Sequence, residues 1–250
     1  VARRKAAVND AFGGAPYSRT IDMITGHVHR DVDVLILYPM NLVAVDERFG
    51  SWMTQYGYCN FITAEKLLEL GSISDRGKLK IGNREYSTLV TLFEPLPNKG
   101  VLDLIQELAS KGGKVLWFGP PPVINAAGES CLGNWEKIFG VSYTAPEPMG
   151  RMAPGMRIDF TGTMGNIPSQ YILSDFTVDR IYPVEAGKGT EELARCDNDL
   201  LVGTVHGNVY FFGFRPRDDQ SASLGYETRT LFEILDHAGA YVSTGAFEGV

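Results

Sequence analysis

No stretch of this 250-residue chain approaches the roughly 20 consecutive apolar residues that cross a bilayer, so the sequence offers no membrane-spanning helix. Cysteine is scarce. Cys59, Cys131 and Cys196 are scattered, odd in number and free of any C-x-x-C pair, which argues against a disulfide framework. They read as small, partly buried side chains rather than nucleophiles. Among the four histidines only His27-x-His29 has a spacing that suits a metal, and it precedes a strand beside Arg30. It reads as a polar loop contact to another domain. Neither a metal nor a cofactor is expected. Positive charge is also short, with 23 Lys and Arg against 30 Asp and Glu. The net charge of −7 argues against nucleic acid or an anionic membrane as the main partner. Gly187-Lys188-Gly189-Thr190 lacks the leading glycine and the strand-to-helix setting of a phosphate loop. The chain has no initiator Met, and Val1-Ala2-Arg3-Arg4-Lys5 has no apolar core behind it, unlike a signal peptide. A piece cut from a longer protein is the expectation.

What is present is enough for a large core. With 44% hydrophobic residues, the length suits one large α/β domain, or one with a small appendage. Residues 1–30 are mixed and polar and read as a lead-in segment with a helix over Ala2–Phe12. Residues 31–250 read as the domain itself. Val32–Leu37, Ser87–Phe93, Val115–Phe118 and Val209–Phe212 are apolar runs between helices, as in a parallel sheet covered on both faces. Asn60–Thr63 is a shorter strand, and Lys78–Ile81 with Arg84–Tyr86 suggests a hairpin around Gly82-Asn83. Helices are expected over Asp46–Tyr56, Ala64–Leu70, Lys99–Ser110 capped by Asn98, Trp135–Phe139 and Glu227–Ala238. From about residue 142 to 205 prolines break the helical pattern. Met156–Phe160, Tyr182–Val184 and Leu200–Thr204 read there as strands of a β-rich, antiparallel stretch. His206 sits before a Gly207-Asn208 turn.

The strand Lys114–Phe118 runs into Gly119-Pro120-Pro121-Pro122. In α/β enzymes a strand end of this kind carries the nucleophile on a tight turn. Proline supplies neither a nucleophile nor an N–H for an oxyanion hole. The scaffold is therefore of an enzyme type with an empty catalytic corner, and no catalytic residue is assigned. Ligands of open α/β sheets lie at the carboxyl ends of the strands. Tyr38, Met40, Glu94, Phe118 and Pro120 are expected on that rim, with no second carboxylate placed near Glu94. Arg215, in the charged loop Arg215-Pro216-Arg217-Asp218-Asp219, is a candidate contact for an anion, a sugar or a neighbouring subunit, against the reading of a solvated loop with local ion pairs. The candidate binding residues are thus Tyr38, Glu94, Phe118 and Arg215.

The strand Tyr86–Val90, the helix-to-strand junction Gln106–Val115 and the late strand Gly207–Pro216, in this order, resemble class I glutamine-amidotransferase-like domains. More narrowly they resemble the trimerisation domain of glycoside hydrolase family 42 β-galactosidases and related multidomain glycosidases. The resemblance implies a flavodoxin-like parallel sheet with helices on both faces and a β-rich insertion. It also implies a domain that follows a catalytic barrel and builds the oligomer, the catalytic carboxylates lying in the barrel. Active amidotransferases carry a Cys nucleophile after the strand matching Val115–Phe118 and a late His-x-Glu pair; this chain has Pro120-Pro121 and no His-x-Glu. Three readings follow. The first is a non-catalytic module that docks on an upstream barrel or on copies of itself. The second is a stand-alone hydrolase or amidotransferase relative with a relocated nucleophile. The third is a sugar-binding module. For the first, the expected surfaces are the segment bearing Tyr17, Ile21, Met23 and Ile24, and the stretch bearing Met149, Met152, Met156 and Met164.

Overall fold

The computed structural model describes residues 32–44, 59–144, 154–172, 177–197, 199–216 and 230–240. All belong to the unit Val32–Val250. The expected helices over Ala2–Phe12 and Asp46–Tyr56, the His27-x-His29 pair, Met149, Met152 and Arg217-Asp218-Asp219 lie outside the described residues.

Strand β1 (Val34–Tyr38) leads into a four-residue helix, α1 (Met40–Val43). β2 (Asn60–Thr63) runs straight into α2 (Ala64–Leu70), which ends in extended backbone at Gly71. β3 (Gly71–Ile73), β4 (Leu79–Ile81) and β5 (Arg84–Tyr86) make a separate antiparallel sheet, including the expected hairpin. Then come β6 (Thr88–Thr91), α3 (Lys99–Ser110), β7 (Lys114–Phe118) and α4 (Leu132–Phe139), one turn longer than its sequence signal. β8 (Val141–Ser142) pairs with β11 (Glu185–Ala186). β9 (Arg157–Phe160), β10 (Gln170–Tyr171), β12 (Glu191–Cys196), β13 (Leu200–His206) and β14 (Val209–Phe212) precede α5 (Thr230–His237). Tyr182–Val184 is not a strand; the backbone there bonds singly to the sheet, Tyr182 N–H to Gly213 and Val184 N–H to Leu201.

The main sheet has nine strands in the order β10-β9-β12-β13-β14-β7-β6-β1-β2. The run β2-β1-β6-β7-β14 is parallel throughout. In chain order those five strands read 2-1-3-4-5, the flavodoxin-like arrangement. The remaining four are antiparallel and continue the same sheet. The β-rich stretch is therefore an extension of the sheet, not a second layer, and the sheet as a whole is mixed. β13 and β14 meet through the two-residue Gly207-Asn208 turn, where Gly207 takes φ +60° and a side chain would strain the backbone.

Period-two alternation divides the strand side chains between two cores. On one face Leu35, Leu37, Leu89, Val115, Trp117, Val209 and Phe211 are covered by Leu67 of α2, Val101 and Ile105 of α3, and Trp135 and Phe139 of α4. On the other, Val34, Ile36, Val90, Leu92, Leu116, Phe118 and Phe212 meet Leu231, Ile234 and Leu235 of α5. Helices thus lie on both faces, as the apolar strands require. Met164 is 1% exposed and Met156 packs on the second core. Met164 thus serves the chain's own interior, which corrects the expectation that it faces a partner, while Met156 is half-buried. α3 begins where the Asn98 side chain accepts the Gly100 N–H at 3.0 Å. Asn98→Ala is expected to cost about 1 kcal/mol and to lower the thermal midpoint by roughly 2–4 °C in a calorimetric scan.

Candidate functional site at the carboxyl rim of the parallel strands

After β1 the chain builds β2 on one side and then β6 on the other, so the direction of winding reverses between β1 and β6. Open α/β sheets bind ligands in the crevice at this switch point, outside the carboxyl ends of the strands. Tyr38 ends β1, one pair beyond Leu37 opposite Thr91, and Glu94 follows β6. Two of the candidate residues therefore come to the same end of adjacent strands.

Tyr38 is half-buried, its ring edge-on to Phe61 with centroids 6.3 Å apart. Phe61 on β2 is 40% exposed, and Met40 also stands open to solvent. Glu94 has no ion-pair or side-chain hydrogen-bond partner among the described residues. Burial, reinforced by the negative charge of Glu65, lifts its carboxyl from 4.5 to about 7. Glu65 sits in the first turn of α2, just past β2. The sequence reading placed no second carboxylate near Glu94; the structure brings Glu65 within electrostatic reach, because β2 and β6 flank β1. The signal for Glu65 was its position at a strand-to-helix junction on this rim, a place read only as a helix start.

The other candidates do not present their side chains at the rim. Phe118 is fully buried and stacked on Phe212 at 5.1 Å, so its assignment as a binding residue is corrected: the last residue of β7 points into the core. Pro120, Pro121 and Pro122 are buried too. The Trp117 indole N–H donates to the Pro120 carbonyl at 2.9 Å, and the Cys131 thiol lies 3.5 Å from the Pro122 carbonyl. The proline corner after β7 is a buried packing element. Arg215 does not offer itself to a ligand either. Its Nε–H donates to Asp179, and both side chains are nearly buried. Asp179 is 36 residues away in sequence and nothing in the pattern announced it. His206 lies in the expected hairpin. The Thr190 hydroxyl donates to the Gly140 carbonyl at 2.7 Å, so the contact of 3.1 Å between Thr190 and His206 Nδ1 puts the hydrogen on Nδ1.

Glu94 gives the rim one polar group that can bind a ligand. Near neutral pH Glu94 is shared between acid and carboxylate and can give or take one hydrogen bond. No cysteine joins it among the described residues. All three cysteines are buried, and burial pushes the Cys131 thiol up, away from the thiolate. Among the described residues no cluster of three metal-ligating side chains occurs, and no helix is long and apolar enough to cross a membrane.

No family model and no curated protein matches the chain. Solved structures do. Gan42B, a GH42 β-galactosidase from G. stearothermophilus, is 14% identical with a TM-score of 0.56, over 91% of this chain and 33% of its own. The β-galactosidase of the haloarchaeon Halorubrum lacusprofundi matches with the same identity, coverage and TM-score. A ThuA-like protein from Bacteroides uniformis is 13% identical with a TM-score of 0.51, over 86% of this chain and 93% of its own. The chain spans about a third of the length of the β-galactosidases it matches. At these identities the likeness is one of fold, and the fold is the flavodoxin-like α/β arrangement that recurs as part of the GH42 β-galactosidases.

Proposed function

We propose that this chain is a non-catalytic oligomerisation or interdomain module of a β-galactosidase-like glycoside hydrolase, working against a catalytic barrel or against copies of itself. The observation that carries the reading is the sealed proline corner on a fold shared with one third of the length of a GH42 β-galactosidase. A fold kept while its reactive corner is packed shut is better suited to holding partners than to turnover. The surface available for that role includes Leu96, Val123 and Ile124, each more than 40% exposed on loops at the sheet's carboxyl end. The loop bearing Val123 and Ile124 is tied by its own hydrogen bonds. Asn125 accepts the N–H groups of Ala127 and Glu129 and donates to the Glu129 carboxylate, and the Ala126 N–H reaches the Pro97 carbonyl. Aliphatic side chains held firmly in water suit an interface.

Light scattering over a wide concentration range should show self-association, or a barrel-containing relative should capture the chain in a pull-down. The isolated chain should release no ammonia from glutamine and no sugar from a nitrophenyl β-galactoside. Turnover of either substrate, lost on replacing Cys59, Cys131 or Cys196, would favour a stand-alone hydrolase. So would a strict monomer that ignores the relative. A second reading, a sugar-binding module, is favoured by one observation: Glu94 has no side-chain partner among the described residues and lies at the same end of the sheet as Tyr38, on the neighbouring strand.

A further inference from the structure

On the helical face of the sheet, where the two-stranded β8–β11 ribbon meets the antiparallel extension, a cleft of about 500 Å³ opens. It is bordered by Ser142, Thr144, Glu185, Glu192, Arg195 and Asp199, over a floor that includes Val184 and Leu201. None of these residues was a candidate from the sequence, and the cleft is separate from the rim of Tyr38 and Glu94. We propose that it binds a neutral, polyhydroxylated ligand of the saccharide class.

The volume falls within the range of small-molecule sites, which pair an apolar floor with a few placed polar groups. The charge selects the ligand. Three carboxylates stand against one guanidinium, so phosphate, sulfate and carboxylate ligands are repelled. The cationic alternative is weakened because two of the carboxylates are already spent on Arg195. Its Nε and Nη2 bind the Glu192 Oε2 at 3.1 and 2.6 Å, and its Nη1 binds the Asp199 carbonyl and Oδ1 at 2.6 and 3.2 Å. A guanidinium has five N–H donors, so four contacts leave one for a ligand. The second oxygens of Glu192 and Asp199 are acceptors beside it, and the Ser142 and Thr144 hydroxyls can act either way. Fixed donors and acceptors at short intervals are what a vicinal diol matches, since each hydroxyl both gives and takes. The aliphatic floor suits the C–H face of a sugar ring.

The wall is also held in place. Asp199 has φ +61°, the one non-glycine residue of positive φ among the described residues. Aspartate tolerates this region better than most, yet glycine would adopt it at no cost. Asp199 sits in the β12–β13 turn, its N–H donating to the Cys196 carbonyl at 3.0 Å, a setting in which aspartate is common. From this turn its carbonyl and Oδ1 hold the Arg195 guanidinium beside the cleft. The inference draws on the cleft alone and stands whether or not the chain serves a glycosidase.

The test is ligand-observed NMR and calorimetry on the full chain. Lactose, cellobiose and maltose serve as neutral probes, spermidine as a cationic one and inorganic phosphate as an anionic one. At least one disaccharide should bind in the millimolar range, with phosphate silent. Asp199→Gly should keep or raise the thermal midpoint while weakening that binding about tenfold or more, a split that a purely structural role would not produce. Arg195→Met should weaken it similarly. The proposal is overturned if no disaccharide binds, or if spermidine alone binds. It is also overturned if both variants bind like the parent, or if Glu94→Gln abolishes binding that Asp199→Gly retains, which would move the site to the rim.

Discussion

Asp179→Ala is expected to destabilise the protein by about 3–5 kcal/mol, on the order of 10 °C in thermal midpoint. Asp179 is 6% exposed, and the Arg215 side chain, 11% exposed, donates to it from Nε. The pair ties the turn Thr177–Asp179 to the segment leaving β14. Around it the backbone is already committed: the Arg215 carbonyl accepts from the Gln170 side chain at 2.8 Å, and the Gly213 carbonyl accepts the Tyr182 N–H at 2.8 Å. Removing the carboxylate takes from a nearly buried guanidinium the group that accepts its Nε–H, and the desolvation cost then makes the loss large. An apolar replacement of both partners, Asp179→Leu with Arg215→Met, should recover most of it, because neither charge is then stranded. Urea titration of the single and double variants measures both numbers. A single-variant loss below about 1 kcal/mol would mean that Arg215 is solvated, as the sequence alone suggested.

That reversal for Arg215 shows where the sequence stopped informing. The parallel strands were legible because burial on both faces writes itself as unbroken apolar runs; Val32–Leu37 and Val209–Phe212 could hardly be anything else. Asn98 and Gly207 were legible because capping and tight turns need particular side chains or none. β12 was not. Glu191-Glu192-Leu193-Ala194-Arg195-Cys196 is rich in helix-favouring residues and interrupted by a bulge. It is a strand only because Leu193, Ala194 and Cys196 complete a core built by distant segments. Phe118 was placed on the rim because it ends a strand. Whether a terminal residue faces solvent or core depends on the strand's alternation, and Phe118 shares the core parity of Leu116. The Arg215–Asp179 pair and the cleft around Arg195 join residues with no periodic relation, so no local pattern could have revealed them. Glu65 lay in plain view, but its nearness to Glu94 needed the strand order β2-β1-β6.

Glu94→Gln should leave the protein about as stable as the parent in mild acid and more stable by about 1–3 kcal/mol near pH 8. The folded carboxyl titrates at about 7, against 4.5 without the fold. Between those two values the folded state holds a proton that the unfolded state has released, so stability must fall as pH rises through this window. It levels off above about 7, where both states are ionised and the fold bears a half-buried charge beside Glu65. The full separation of the two values would correspond to roughly 3 kcal/mol. Partial exposure of Glu94 brings the expected figure below that ceiling. Glutamine keeps the shape of the protonated acid and has no charge to bury, so the variant should lose this slope, and the gap between the two proteins should open only above about pH 5. Denaturant midpoints measured for both across the range decide it. A gap of equal size at every pH would assign the effect to packing. A parent more stable than the variant at high pH would mean that the carboxylate has a cationic partner. The same titration also bears on the rim as a binding site. A ligand that donates a hydrogen bond to ionised Glu94 would pull its titration back toward the ordinary carboxylate range, so its stabilising effect should grow as pH rises through the same window.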